Sequence, residues 1–347
     1  MIPKAKTKTL WIENLRAIAT VSVILLHVSS PLLYAHDESL NSYWWLGNVF
    51  DSAVRYCVPV FVMITGTLLL PQEIDLKVYF SRRISRILIP FLFWSLVYIC
   101  NDLLQLRADG KSFAVHDIIS FSISHLLYGA SYHLWYVYML ICLYLVIPFL
   151  GRWIRHSSEK QIQYFLSLWI CINAVWLFGN FGNNTVFYFG QFIGYLVLGY
   201  YISTKDFKLS LKVSDKVALL LYLTGVVVTL LGTYIVTERT GKFSNIFYDY
   251  RSVSVVASAT GIFILTKNNA FTVNRHVSSL VSLIGKLSYG IYLVHVLVLY
   301  FLDKSGINAT FIHPLIGIPL TAILCLFLSM LVPLLVQKLP YGKYIAG

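Results

Sequence analysis

The chain is poor in charge, and poorest in acids. Asp, Glu, Lys and Arg make up 12% of its 347 residues, about half the usual share of a soluble globular protein. Set beside 58% hydrophobic residues, that shortage excludes a water-soluble domain and leaves a protein embedded in membrane almost throughout. Acids number 15 against 27 lysines and arginines, a formal net charge of +12. In a soluble chain such a surplus would raise nucleic acid as a partner. Here the basic residues fall in loops between apolar runs, where they meet a lipid bilayer, and no nucleic acid is expected. Five cysteines, Cys57, Cys100, Cys142, Cys171 and Cys325, all lie in apolar stretches. Their odd number and lack of metal-like spacing argue against a disulfide framework and a metal site, and they read as small core residues. Also missing is a small-residue cleavage site behind Lys4, Lys6 and Lys8, so the first apolar run reads as a retained span rather than a signal peptide.

Runs close to bilayer-crossing length occupy 11–33, 45–70, 87–106, 133–150, 164–178, 186–202, 217–236, 253–266, 284–302 and 314–335. The expected fold class is therefore all-α and polytopic, with about ten transmembrane helices. The fifth, sixth and eighth runs are short or interrupted by Gly, Asn or Ser. Basic residues collect in alternate loops, among them Lys77, Arg152, Arg155, Lys160, Lys205, Lys216 and Lys267. The positive-inside rule makes that side, with both termini, cytoplasmic. The opposite loops carry most of the acids, including Asp109, Asp117, Glu238 and Asp249, and the longest of them runs over 107–131. No internal repeat and no appended soluble segment is visible, so residues 1–347 read as one membrane domain.

Inside the first run stand Glu13, Arg16 and His27. An ionisable group at membrane depth is costly enough to make function the default explanation. Eleven positions at about 100° each bring Arg16 and His27 to one helix face, roughly 16 Å apart along the axis. A guanidinium near the surface can grip phosphate or carboxylate, whereas a deep imidazole can take a proton from an alcohol or attack an activated acyl group. The plainer readings are a snorkelling Arg16 paired with Glu13 and a His27 that hydrogen-bonds a neighbouring helix.

Three further groups qualify. Arg82, Arg83 and Arg86 converge on one side of a helix start, suited to a polyanion or to topogenic duty alone. Ser288, Tyr292 and His295 fall at i, i+4 and i+7 and line one stripe, with His295 about as deep in its span as His27. His133, Trp135, Tyr136 and Tyr138 open the fourth run from the outer side, as an interfacial aromatic belt or as a platform on which a sugar ring stacks. Arg55 is another intramembrane charge, placed to pair with Asp51 or Asp102.

Five stretches, NLRAIATVSVILLH, VPVFVMITG, RRISRILIP, HLWYVYMLICLYLVIP and LSYGIYLVH, follow in this order along nearly the whole chain. In them the sequence resembles the integral-membrane acyltransferase 3 family, most closely the enterobacterial O-acetyltransferases of O-antigen or enterobacterial common antigen. The resemblance implies acetyl-coenzyme A as a cytoplasmic acyl donor, no metal, and a hydroxyl of a surface glycan or its undecaprenyl-linked precursor as acceptor, in the bacterial inner membrane. It implies that His27 and Arg16 are the essential pair, with Arg83 and Arg86 as the paired-arginine motif. On this reading Arg82, Arg83 and Arg86 take the coenzyme A phosphates. Glu13, Ser288, Tyr292 and His295 then support the reaction, while His133, Trp135, Tyr136 and Arg55 face the acceptor. The outer loop 107–131 becomes a lid. A transporter of glycans or organic anions is the competing reading, since carriers also place Arg and His in membrane cavities.

Overall fold

The computed structural model describes residues 4–34, 40–73, 75–178, 185–205, 210–269 and 275–347. Among these the chain is helical, without a strand. The helices are α1 (Lys4–Ser29), α2 (Pro31–Tyr34), α3 (Ser42–Val54), α4 (Cys57–Leu69), α5 (Leu76–Tyr79), α6 (Ser85–Ala108), α7 (Val115–Tyr128), α8 (Trp135–His156), α9 (Glu159–Phe178), α10 (Thr185–Thr204), α11 (Leu211–Thr240), α12 (Val253–Asn268), α13 (Arg275–Lys304) and α14 (Pro314–Val336).

Seven segments among the described residues are long and apolar enough to cross a membrane: Leu10–Tyr34, Ser42–Leu69, Ser85–Ala108, Tyr132–His156, Leu211–Thr240, Val277–Lys304 and Pro314–Val336. The protein is a multi-pass membrane protein, and its outside is apolar. On α14, for example, Ile316, Leu320, Ile323 and Phe327 form a surface stripe and are all exposed, as lipid-facing helices require. The other three expected spans correspond to α9, α10 and α12, which are helices but do not enter this count. Of the cysteines, Cys57 and Cys325 are buried, whereas Cys100, Cys142 and Cys171 lie exposed on the bundle surface rather than in its core.

The centre is α1, packed against α13, α4, α3 and α14. Small residues let backbones approach: a Cβ on Gly66 of α4 would fall 2.0 Å from the Leu196 carbonyl oxygen, and one on Gly199 of α10 would fall 2.1 Å from that of Met63. This is the close helix crossing that packing in lipid favours, where no hydrophobic drive holds helices together.

The loop expected to cover the outer side does something else. From Gly110 the chain turns back as α7 alongside α6, with Val115, Ile119, Ile123 and Leu127 exposed at i, i+4 spacing. At Gly129, whose φ of +111° a side chain would strain, the chain re-enters the bundle. His133 and Leu134 are then almost wholly buried, at 1% and 0% exposure. Irregular backbone at membrane depth survives only where protein covers it. Here the Tyr292 hydroxyl donates to the His133 carbonyl, and the Tyr138 hydroxyl donates to that of Leu126. The fourth span therefore begins inside the bundle and not at an interfacial belt.

Candidate active site

Three histidines from three separate segments meet in the interior. The ring of His295 on α13 lies 5.2 Å, centroid to centroid, from His27 on α1 and 5.1 Å from His133 in the re-entrant turn. The α1–α13 packing brings the first two to one depth. Tyr98 of α6 secures the third side, edge-on to His133 at 5.4 Å. Its hydroxyl donates to the Leu293 carbonyl (3.0 Å) and accepts from the Leu297 N–H (3.1 Å), two groups that are i, i+4 partners on α13. A hydroxyl inserted there loosens the helix ladder around His295. The His295 Nδ1 bonds the Tyr292 carbonyl at 2.7 Å; since a carbonyl only accepts, Nδ1 carries the proton and Nε2 keeps its lone pair. The Nε2 atom of His295 is buried without a hydrogen-bond partner, an arrangement suited to passing or receiving a proton.

Beyond His27, on the side away from Arg16, a cavity of about 740 Å³ opens. His27 and Tyr132 meet there edge-on at 5.2 Å. The wall includes Arg55, Trp135, Tyr248, Asp249 and Arg251. Arg55 is held from behind: its Nε lies 2.6 Å from the fully buried Asp51, a close ion pair rather than an aligned hydrogen bond, and its guanidinium stands 4.3 Å over the Tyr248 ring. Asp51 in turn accepts from Ser30, and Tyr248 donates to Asn48 at 2.6 Å. Of the two partners open to Arg55 by sequence, Asp51 has it, while Asp102 is bonded by Asn101. At the rim Arg251 grips both oxygens of Asp249, with Nε to Oδ1 at 2.8 Å.

The opposite side of His27 is lined differently. Thr20, Ser288, Tyr292 and His295 border a void of only about 10 Å³, the room of roughly one water, so the predicted stripe on α13 does face α1. Below it Arg16 lies among tyrosines: Tyr136 and Tyr144 are within its electrostatic reach, as is Glu13. Tyr144 also feels Arg83, and Tyr79 stacks on Tyr144 at 6.1 Å. Tyrosines thus stand within electrostatic reach of both Arg16 and Arg83. Among the described residues no carboxylate comes within ion-pair distance of Arg16.

Some expected positions differ. The basic cluster is not a helix start: the helix begins at Asp75, which caps the Val78 N–H. It runs through a π-turn at Phe80–Ile84 into α6, so its first free amides lie well before Arg83. Arg83 is half-buried there and Arg86 exposed; the side chain of Arg82 lies outside the described residues. Of the group assigned to the acceptor side, Trp135 and Arg55 line the outer cavity. His133 does not, being in the histidine cluster, and neither does Tyr136, whose ring lies edge-on to Tyr292 at 5.3 Å. Sequence reasoning misses Tyr132, Tyr248, Asp249 and Arg251. The signal available is the FYDYRS run, Phe247–Ser252, in which an acid and a base two apart sit among aromatics in an outer loop.

A family model described as an acyltransferase domain, that of acyltransferase 3, matches residues 9–337. The chain belongs to the acyltransferase 3 family. It is accordingly an acyltransferase, and the matched region takes in every group of the site. No curated protein and no solved structure matches the chain.

Proposed function

We propose that this acyltransferase moves an acetyl group from acetyl-coenzyme A, bound from the cytoplasmic side, to a hydroxyl of a cell-surface polysaccharide or its lipid-linked precursor, in the bacterial inner membrane. The observation that carries the reading is the place of His27, on the wall of the outer cavity and against His295, with Arg16 about three turns away on the same helix. The basic residues of the alternate loops support a cytoplasmic Arg16 end by the positive-inside rule. The O-antigen and common-antigen type of acceptor rests on the sequence resemblance.

In this scheme Arg83 and Arg86 bind coenzyme A phosphates and Arg16 steadies the arm as it enters the bundle. From the outer cavity a sugar hydroxyl reaches His27. The imidazole takes its proton as the oxygen attacks the thioester carbonyl; a C–O bond forms, the C–S bond breaks, and His27 returns the proton to the departing thiolate. His295, its Nδ1–H fixed by the Tyr292 carbonyl, orients the ring of His27.

The test is purified protein in lipid nanodiscs given labelled acetyl-coenzyme A and surface glycan. His27→Ala is expected to lower acetyl transfer by about 100-fold or more with thermal unfolding unchanged. Transfer at the unaltered rate would remove His27 from the reaction.

A further inference from the structure

Two arginines face the outer cavity, and each is matched by its own carboxylate. Arg55 has Asp51, which is 0% exposed and cannot leave, and Arg251 has Asp249. A cavity built to hold an acidic sugar would keep a cation open to it; an anion entering here would meet Asp249 in the wall and an Arg55 already neutralised from behind by Asp51. Matched pairs serve a different ligand. Sugar hydroxyls each donate and accept, and a carboxylate beside a guanidinium offers an acceptor and donors side by side. The aromatic provision fits the same class: Tyr132 and Tyr34 line the cavity with rings 64% and 69% exposed, and an open ring face stacks on the apolar face of a pyranose. Tyr132 stands edge-on to His27, so a ring stacked on it would carry its hydroxyls to the imidazole. The volume of about 740 Å³ lies within the usual size of small-ligand sites.

Resting on the reading of this cavity as the acceptor side, the geometry points to an uncharged pyranoside as its ligand, stacked on Tyr132 and read by the Asp249–Arg251 pair. Acidic sugars are excluded by charge balance rather than by size. The Phe247–Ser252 stretch is then the part of the chain that sets acceptor specificity.

The experiment uses the full chain in nanodiscs and pairs of methyl glycosides in gluco, galacto and manno configuration, each as the neutral sugar and as its uronate. Binding is followed by quenching of tryptophan fluorescence, to which Trp135 in the wall contributes. At least one neutral member should bind saturably and its uronate about tenfold or more weaker. Tyr132→Ala should weaken the neutral ligand about tenfold, and Tyr132→Phe should restore it. Asp249→Asn, which removes the negative charge that Arg251 grips, should narrow or reverse the preference. A uronate that binds as tightly as its neutral partner, no saturable binding by any neutral member, or a Tyr132→Ala protein that binds normally would each overturn the inference. Acetyl transfer measured on the same samples separates the two proposals. Transfer favouring a uronate sinks this inference and leaves the proposed function, whereas selective binding of neutral sugars with no transfer to them does the reverse.

Discussion

The two sides of the histidine cluster treat charge in opposite ways. On the outer side both arginines are paired with carboxylates, and the space before them is wide. On the other side Arg16 is set among tyrosines with no carboxylate among the described residues at ion-pair distance, and the void bordered by Thr20, Ser288 and His295 is hardly larger than a water. A paired charge in a membrane protein is part of the wall; a charge kept open awaits a partner from outside. Under the proposed function, the Arg16 side takes the donor and the outer cavity takes the acceptor hydroxyl.

The largest effect should come from breaking a pair in the outer wall. Asp51→Asn leaves the Arg55 guanidinium buried and uncompensated and is expected to cost about 3–5 kcal/mol of stability, read as a fall in denaturation midpoint of the detergent-solubilised protein. A midpoint close to that of the unaltered chain would mean that Arg55 was never dependent on Asp51, and the contrast between the two sides would lose its basis. The matching change on the other side, Arg16→Gln, orphans no acid. Its effect should fall on the donor: a KM for acetyl-coenzyme A raised about 10- to 100-fold, as expected for lost hydrogen bonds to a charged group, with stability and acceptor KM nearly unchanged. Raised acceptor KM alone would place Arg16 on the wrong side of the comparison.

How far the sequence foretells this arrangement depends on whether periodicity or tertiary path decides the position. Arg16 and His27 share a long helix, and Ser288, Tyr292 and His295 share another, so helical geometry suffices to align each set. Where α1 and α13 pack, the rings of His27 and His295 come together. The sequence alone puts His133 at the outer, acceptor side, in an aromatic belt or a sugar platform, because an apolar run beginning at 133 looks like any span entering from the surface. The re-entry after Gly129 rests on hydrogen bonds from Tyr292 and Tyr138, which lie beyond local pattern. The Asp249–Arg251 pair is hidden for a similar reason: a short outer loop gives no periodic signal, and its residues gain meaning from the cavity they border. The basic run Ser81–Arg86 looks like a helix start because the apolar stretch begins there. The actual start is set earlier by the Asp75 cap.

A smaller effect sharpens the comparison at its boundary. Tyr98→Phe removes the hydroxyl lodged between the Leu293 carbonyl and the Leu297 N–H, and those two groups can then bond each other as in an ordinary helix. Because the freed groups re-pair, stability should change by no more than about 1 kcal/mol. The turn carrying His295 should tighten and shift its ring relative to His27. The expected outcome is a kcat reduced about tenfold, with the KM values of donor and acceptor both unmoved, since Tyr98 belongs to neither side. A change in either KM with kcat intact would show that Tyr98 acts on a binding site instead.

The smallest effect tests whether pairing alone, without burial, makes a charge important. Glu159 at the start of α9 is bonded by the Lys205 ammonium, and that bond holds its carboxyl below the usual range. Both side chains are open to solvent, so screening leaves little of the attraction, unlike the buried Asp51–Arg55 pair. The sign follows from the depressed value. Any stability the pair adds is present above the unfolded carboxyl's pKa, near pH 4, and is lost as pH falls through the lower folded value; between pH 6 and 8 it is constant. Glu159→Gln should therefore leave both the unfolding midpoint and acetyl transfer within error of the unaltered protein across that range. The two proteins should differ only in the slope of their acid unfolding curves. A clear loss of activity at neutral pH would show that α9 and α10 are coupled to the site through this contact, and that exposure does not separate structural from functional charges in this chain.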